Sequence, residues 1–263
     1  MSTSARPTLI LLHGATLNNH MWDPIRRHLD SRYRVIAPDL PGPGARRDEL
    51  FTLAAAVATV AAAARSAAPS PIVVGGDSLG GYTALAAAAE MPQDRLKGLI
   101  LCGSSSNLMG TALLPYLVQK IIVRTTLWFV TEEHVVRSRV PKLLISLKLP
   151  PEDVATLMKA GISLRVFAQA VDALRGIDFR AKLAAVEQPV VIINGAKDRG
   201  HIRQEASFAA VAHHAATHRL EDCEHGVTLR RPLQVAALMN DFAEKVFAGP
   251  LESGASAATY PTG

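Results

Sequence analysis

Short apolar runs recur along the chain, and most are followed by a longer stretch with helical spacing. Runs at 8–12, 33–37, 71–74, 96–102, 189–193 and 218–220 are rich in Val, Ile and Leu and lack polar alternation. Strands buried on both faces read this way. Apolar spacing of three to four positions predicts helices over 22–29, 50–67, 79–90, 202–212 and 233–247. Such alternation implies an α/β fold, a mostly parallel sheet flanked by helices with right-handed crossovers. Ligands then bind beyond the carboxyl ends of the strands, so the loops after the strands carry the chemistry.

One connection breaks the rhythm. No convincing strand lies between Cys102 and Pro189, and helical, apolar stretches fill 113–130, 132–140, 142–147 and 152–174. A simple crossover needs only about a dozen residues. Long insertions in compact domains tend to be functional lids. The expected organisation is therefore a core formed by 1–103 and 181–248, with a helical cap, 104–180, inserted between core strands. The alternative, that these helices are ordinary core, stays open. Residues 249–263 are rich in Gly, Ala, Ser, Thr and Pro and are expected to be disordered.

Composition narrows the classes. Of 263 residues, 49% are hydrophobic and 19% charged, which excludes a wholly disordered chain. The net charge of +5 is mild, the arginines are scattered, and aromatics are only 5%. A nucleic-acid groove needs a basic stripe with interleaved aromatics, so no nucleic-acid partner is expected. Two cysteines, Cys102 and Cys223, argue against a disulfide scaffold and for free thiols in a reducing compartment. The apolar run at 9–12 is too short for a signal-peptide core. The Ala-rich uncharged run at 52–64 falls short of the about 20 apolar residues of a membrane span. A cytoplasmic protein with a small-molecule substrate and no membrane partner is the expectation.

The most informative stretch is Ile72-Val73-Val74-Gly75-Gly76-Asp77-Ser78-Leu79-Gly80-Gly81. It holds G-x-S-x-G as Gly76, Ser78 and Gly80, after a strand and at the start of a helix, the context that makes this pattern informative. The chain reverses so sharply there that side chains two before and two after the serine would clash. The serine Oγ then stands exposed at the top of the sheet, at a helix N-terminus that favours developing negative charge. Asp77 as nucleophile would need a small residue at Leu79, so Ser78 is preferred on sterics.

A serine hydroxyl needs an adjacent base. Of nine histidines, His225 is best placed, between the last strand and the final helix, with Gly226 freeing the turn. His213, His214 and His218 read as solvent-facing, and His20, His28, His134 and His201 give no specific signal. No histidine spacing matches a common zinc pattern, so no metal is expected. Asp198, just beyond the apolar run at 190–193, can orient the base; its bland alternative is a helix N-cap. The order Ser78, Asp198, His225 matches one hydrolase class. Glu224 and Asp222 rank lower because they are too close in sequence to reach His225 Nδ1. Oxyanion donors are expected from the backbone N–H of Leu79 and of Ala15, with Thr16 as the alternative. His13 is expected to brace that loop.

These residues together resemble the α/β-hydrolase superfamily, within its small capped esterases and lactonases. The resemblance rests on His13-Gly14, Pro38-Asp39-Leu40-Pro41-Gly42, the Gly76-x-Ser78-x-Gly80 turn, Asp198 and His225, and spans about 8–247. It implies an eight-stranded, mostly parallel sheet, of which this chain begins at the third strand. It also implies two-step acyl transfer on an ester, lactone or thioester of a small, largely apolar substrate, with no cofactor. Carbon–carbon bond hydrolysis, a lyase, a biosynthetic thioesterase or cyclase, and a non-catalytic ligand binder are the rivals on the same fold. Two departures stand out. Asp77 replaces the frequent His before the nucleophile, where it can raise the pKa of His225, attract a cationic group, or be structural. The turn Pro41-Gly42-Pro43-Gly44 lacks the His that often follows the first glycine. Thr16, Asp77, Trp128, Phe129 and Phe167 are the expected substrate contacts, with Leu113, Leu117 and Val171 as further candidates in the cap.

Overall fold

A computed structural model describes residues 6–248, so the expectation for 249–263 lies outside the described residues. Six strands form one sheet: β1 (Thr8–Leu12), β2 (Arg34–Ile36), β3 (Ile72–Asp77), β4 (Leu96–Cys102), β5 (Val190–Gly195) and β6 (Ala215–Leu220). Their order is β2-β1-β3-β4-β5-β6, and every adjacent pair is parallel. Leu12, Gly76, Leu101 and Ile192 stand in one cross-strand row. The loops after β1, β3, β4 and β5 therefore leave the sheet at one edge.

Both faces of the sheet are buried, as the apolar runs imply. Ile10, Leu12, Ile72, Val74, Leu99, Leu101 and Ile192 point to one side, under α2 (Leu53–Ser66), α3 (Leu79–Ala87) and α8 (Phe179–Ala184). Leu9, Leu11, Val73, Ile100, Cys102, Val191 and Ile193 point to the other, under α1 (Asp23–Arg26) and α11 (Pro232–Phe247). Cys102 and Cys223 are buried and unpaired.

The helix expected at 22–29 shrinks to a 3-10 turn, Asn19–Trp22, followed by the four residues of α1. α9 (Arg199–Ala209) starts directly after Asp198 instead of at 202. β6 begins three residues before its expected start, because it is an exposed edge strand that needs no apolar run.

Four α-helices lie wholly within the segment expected as the insertion, 104–180: α4 (Leu114–Phe129), α5 (Glu132–Ser146), α6 (Pro151–Ala160) and α7 (Arg165–Leu174). The two short stretches around Pro141 are one helix. The single stretch expected over 152–174 is broken after Ala160, where Gly161 takes a positive φ of 108°. α8 straddles the expected boundary at 180/181, because Asp178 caps it by accepting from the Ala181 N–H. α5 and α6 bury Val136, Val140, Leu144, Val154 and Leu157 in one core cluster, and α7 buries Val166, Ala170 and Leu174 in the other. α4 alone buries no residue. No single helix among the described residues is long and apolar enough to cross a membrane.

Asn18 ties this insertion to the loop after β1. Its buried side-chain amide donates to the Leu157 and Gly161 carbonyls, each at 2.9 Å. Asn18→Ala leaves both carbonyls without that donor and should cost about 1–3 kcal/mol in a urea unfolding experiment.

Candidate active site

The site grows from the turn between β3 and α3. Ser78 has φ 49° and ψ −111°, outside the regions comfortable for an L-residue. Two close approaches hold it there. A Cβ on Gly76 would collide with the Gly80 backbone, and a Cβ on Gly80 with the Leu12 carbonyl. The Ser78 N–H donates to the Cys102 carbonyl at 2.7 Å, and the Ser104 hydroxyl donates to the Ser78 carbonyl at 2.9 Å. Strain at a functional turn persists only where the surroundings over-determine it, as they do here.

Three loop residues meet at this point. Ser78 Oγ–H donates to His225 Nε2 at 3.0 Å, and His225 Nδ1–H donates to Asp198 Oδ2 at 2.7 Å. Asp198 stands at the N-cap position of α9, yet its side chain makes no capping bond and turns to the imidazole instead. Gly226, at φ 82°, supplies the turn after His225. Glu224 pairs with Arg230 and Asp222 with Lys197, so neither carboxylate competes for His225.

The electrostatics favour a charged His225 imidazole. Burial raises the Asp198 carboxyl, but the neighbouring imidazoles of His201 and His225 outweigh it and hold the group well below the usual carboxylate range. Burial lowers His225, but the bond to Asp198 and the negative charge of Asp77 outweigh that, so its pKa lies above the ordinary histidine value. Its ring remains 46% accessible to the cleft. Asp77 is itself buried and raised by that burial, and it accepts from the Thr228 hydroxyl at 2.7 Å. It is thus both a structural acceptor and a charge acting on the His225 imidazole.

The loop after β1 is braced as expected. The Leu40 N–H donates to His13 Nε2 at 2.8 Å and His13 Nδ1–H donates to the Gly14 carbonyl at 2.9 Å, a neutral ring whose pKa burial lowers. In the Pro41–Gly44 turn, Gly42 and Gly44 take positive φ, and Gly44 N–H donates to the Gly161 carbonyl at 3.0 Å. The Ala15 and Thr16 N–H groups make no hydrogen bond among the described residues.

Sequence reasoning missed His201. It is buried, stacks on His225 with ring centroids 5.0 Å apart, and its Nε2 lies 3.2 Å from the Tyr82 hydroxyl. Its Nδ1 sits 2.9 Å from Asp198 Oδ2 but off the hydrogen-bonding line, so it counts as a buried polar atom without a proper partner. The spacing Asp198–His201, one helical turn at the start of α9, was the available signal. Asp198, His201 and His225 form the one histidine–carboxylate cluster among the described residues compact enough for a metal. The direct 2.7 Å contact between Asp198 and His225 is shorter than two ligands about 2.0–2.2 Å from a shared tetrahedral zinc would allow, so an ion would have to open that bond.

A cavity of about 980 Å³ opens over Ser78. Thr16, Asp77 and Phe167 line it, together with Pro115, Tyr116, Gln119 and Val123 from α4. Trp128 and Phe129 do not: they are 85% and 80% exposed on the far side of α4. Leu113 and Leu117 also lie away from the cavity, and Val171 is buried in the core. α4 is apolar on both faces, so its sequence gave no way to tell the inner from the outer. The Tyr116 hydroxyl, pushed up to about 12 by burial and then by Asp198, lines the same cavity as Ser78.

With this geometry in place, comparisons with known proteins set the class. Residues 9–238 match the alpha/beta hydrolase family, and the chain belongs to it. The six parallel strands and flanking helices are that fold, and the protein is a hydrolase. A pimeloyl-[acyl-carrier protein] methyl ester esterase of Nitrosomonas europaea is 28% identical over 214 residues, 75% of this chain and 79% of its own length. One from Aromatoleum aromaticum is 28% identical over 252 residues, 90% and 98% of the two chains. Among solved structures, MenH from S. aureus superposes with a TM-score of 0.74 at 19% identity, covering 94% and 96%. A thermophilic esterase from Thermogutta terrifontis gives 0.71 at 24%, covering 93% and 92%. At those identities the two structures show the fold alone.

Two expectations follow. Gly80→Ala forces the Leu12 strand end and α3 apart and should cost about 1–3 kcal/mol in thermal unfolding. Asp77→Asn keeps an acceptor for Thr228 but removes the negative charge that favours the imidazolium. His225 should then titrate at lower pH than in the wild type, read by NMR of its ring.

Proposed function

We propose that the protein is a serine hydrolase that cleaves a carboxylic ester or a related acyl bond through an acyl-enzyme. The observation that carries this reading is the continuous hydrogen-bond chain Asp198–His225–Ser78, at 2.7 and 3.0 Å, on loops at one edge of the sheet. Ser78 Oγ attacks the acyl carbon while His225 Nε2 takes its proton. Asp198 accepts the Nδ1–H bond and stabilises the imidazolium. The Leu79 and Ala15 N–H groups receive the oxyanion, with Thr16 N–H the alternative to Ala15. His225 then protonates the leaving group and takes a proton from the water that attacks the acyl-enzyme. Each step uses only this chain's residues and water.

The names of the esterase relatives support an ester over a carbon–carbon bond as the target. The walls from α4, with Leu143, Leu164, Phe167 and Leu229, favour an apolar acyl or alcohol group. In this reading α4 to α7 act as the cap, and the buried free thiols fit the reducing cytoplasm.

p-Nitrophenyl butyrate hydrolysis and fluorophosphonate labelling test the reading. Ser78→Ala should lose more than about 10⁴-fold in rate and all labelling while remaining folded. In the wild type, kcat/KM should rise with pH as His225 loses its proton, with a midpoint above about 6.5. A folded wild type with neither turnover nor labelling would sink the proposal, and product analysis would separate ester cleavage from a lyase.

A further inference from the structure

α4 is apolar on two faces, and only one has a partner. Leu114, Val118, Ile121, Ile122, Trp128 and Phe129 are all more than half exposed. With Thr125 they fall within about 120° of arc at about 100° per residue, a single stripe roughly 22 Å long. Monomeric proteins rarely leave such a contiguous apolar face bare, and one of this kind marks an interaction surface. Thr125, Ile121, Trp128 and Phe129 also border a shallow groove on the outside of the helix, with Lys120 and Arg124 on its flank.

Charge says what covers it. Between Leu114 and Lys148 the chain carries six cations, Lys120, Arg124, Arg137, Arg139, Lys142 and Lys148, and two acids, Glu132 and Glu133. Arg124, Arg139 and Lys142 are exposed and have no acidic partner among the described residues. At this edge Asp172 of α7 pairs with Lys120 and Arg175 and lines a second groove with Arg124 and Trp128, so Arg124, Arg139 and Lys142 are the cations left for a partner, and that partner is anionic. An aliphatic stripe ending in Trp and Phe, with the unpaired Arg124 on its flank and Arg139 and Lys142 on the neighbouring α5, matches helices that lie in the boundary of a bilayer.

The stripe also runs to the catalytic mouth. Pro115 and Gln119, next to Val118 on the helix surface, line the Ser78 cavity, as does exposed Leu143 of α5. Arg139 and Lys142 sit within a turn of Leu143. We propose that the outer stripe of α4 docks the protein on a membrane surface rich in anionic phospholipid, with the mouth of the Ser78 cavity beside the lipid. Acyl esters partitioned into that surface would then reach the cavity without crossing bulk water. This is peripheral binding, and it needs no membrane-spanning helix.

The test is co-sedimentation of the full chain with phosphatidylcholine vesicles, with and without phosphatidylglycerol, alongside tryptophan emission. Trp22 is fully buried, so Trp128 reports the stripe. The wild type should sediment with phosphatidylglycerol vesicles, shift its emission to the blue, and bind less in high salt. Ile121→Gln/Phe129→Gln should weaken binding by at least about ten-fold while leaving p-nitrophenyl butyrate turnover unchanged. Arg124→Gln/Lys142→Gln should weaken binding only to the anionic vesicles. Ser78→Ala should bind like the wild type, which separates docking from ester cleavage. No wild-type binding to anionic vesicles overturns the proposal, as does binding untouched by the Ile121/Phe129 variant. A concentration-dependent dimer that this variant dissociates, or selective capture of an acidic acyl carrier protein without vesicle binding, would equally replace lipid as the occupant.

Discussion

The backbone contact between Gly76 and Gly80 is the constraint on which the site depends. It lets β3 turn into α3 within a few residues, and it leaves Ser78 in a conformation that no ordinary strand or helix would tolerate. Gly80 also brings α3 against the end of β1, so the serine and the loop of Ala15 and Thr16 share one edge. Ser104 and Cys102, at the end of β4, fasten the turn from the other side. His225 arrives over Gly103, where a Cβ would already touch its ring. Each neighbour has lost a side chain, or gained a hydrogen bond, where the turn needs it.

Around that turn the charges are arranged in depth. Two buried carboxylates face one imidazole, and each has its own stabilising partner: His225 with His201 beside Asp198, and Thr228 for Asp77. A buried carboxylate without partners would neutralise itself; with them, both can act on His225. His201 stacks on His225 with ring centroids 5.0 Å apart, and burial lowers its pKa. It covers one side of the His225 ring.

The inserted helices solve a different problem. α5, α6 and α7 each bury residues in one of the two core clusters. α4 is held mainly by α7, contributes a cavity wall on one side, and offers solvent an apolar face on the other. A helix so placed can shape a substrate pocket and an interaction surface at once.

Much of this was legible beforehand for a physical reason. Strands buried on both faces must be continuously apolar, and a strand-to-helix reversal this tight excludes side chains, so both leave marks in the local sequence. Ser78, Asp198 and His225 could be placed at strand ends from those marks alone, as could the bracing role of His13. Trp128 and Phe129 could not be placed, because an apolar residue reads the same whether its helix turns it inward or outward. His201 was passed over because its importance lies in stacking on a residue 24 positions away. Local order thus determined the strands, the turn and the chain order of the candidate triad. Which face of α4 meets the cavity, which histidine stacks on His225, and how Asp77 faces His225 were decided by tertiary packing, since each depends on contacts between segments distant in the chain.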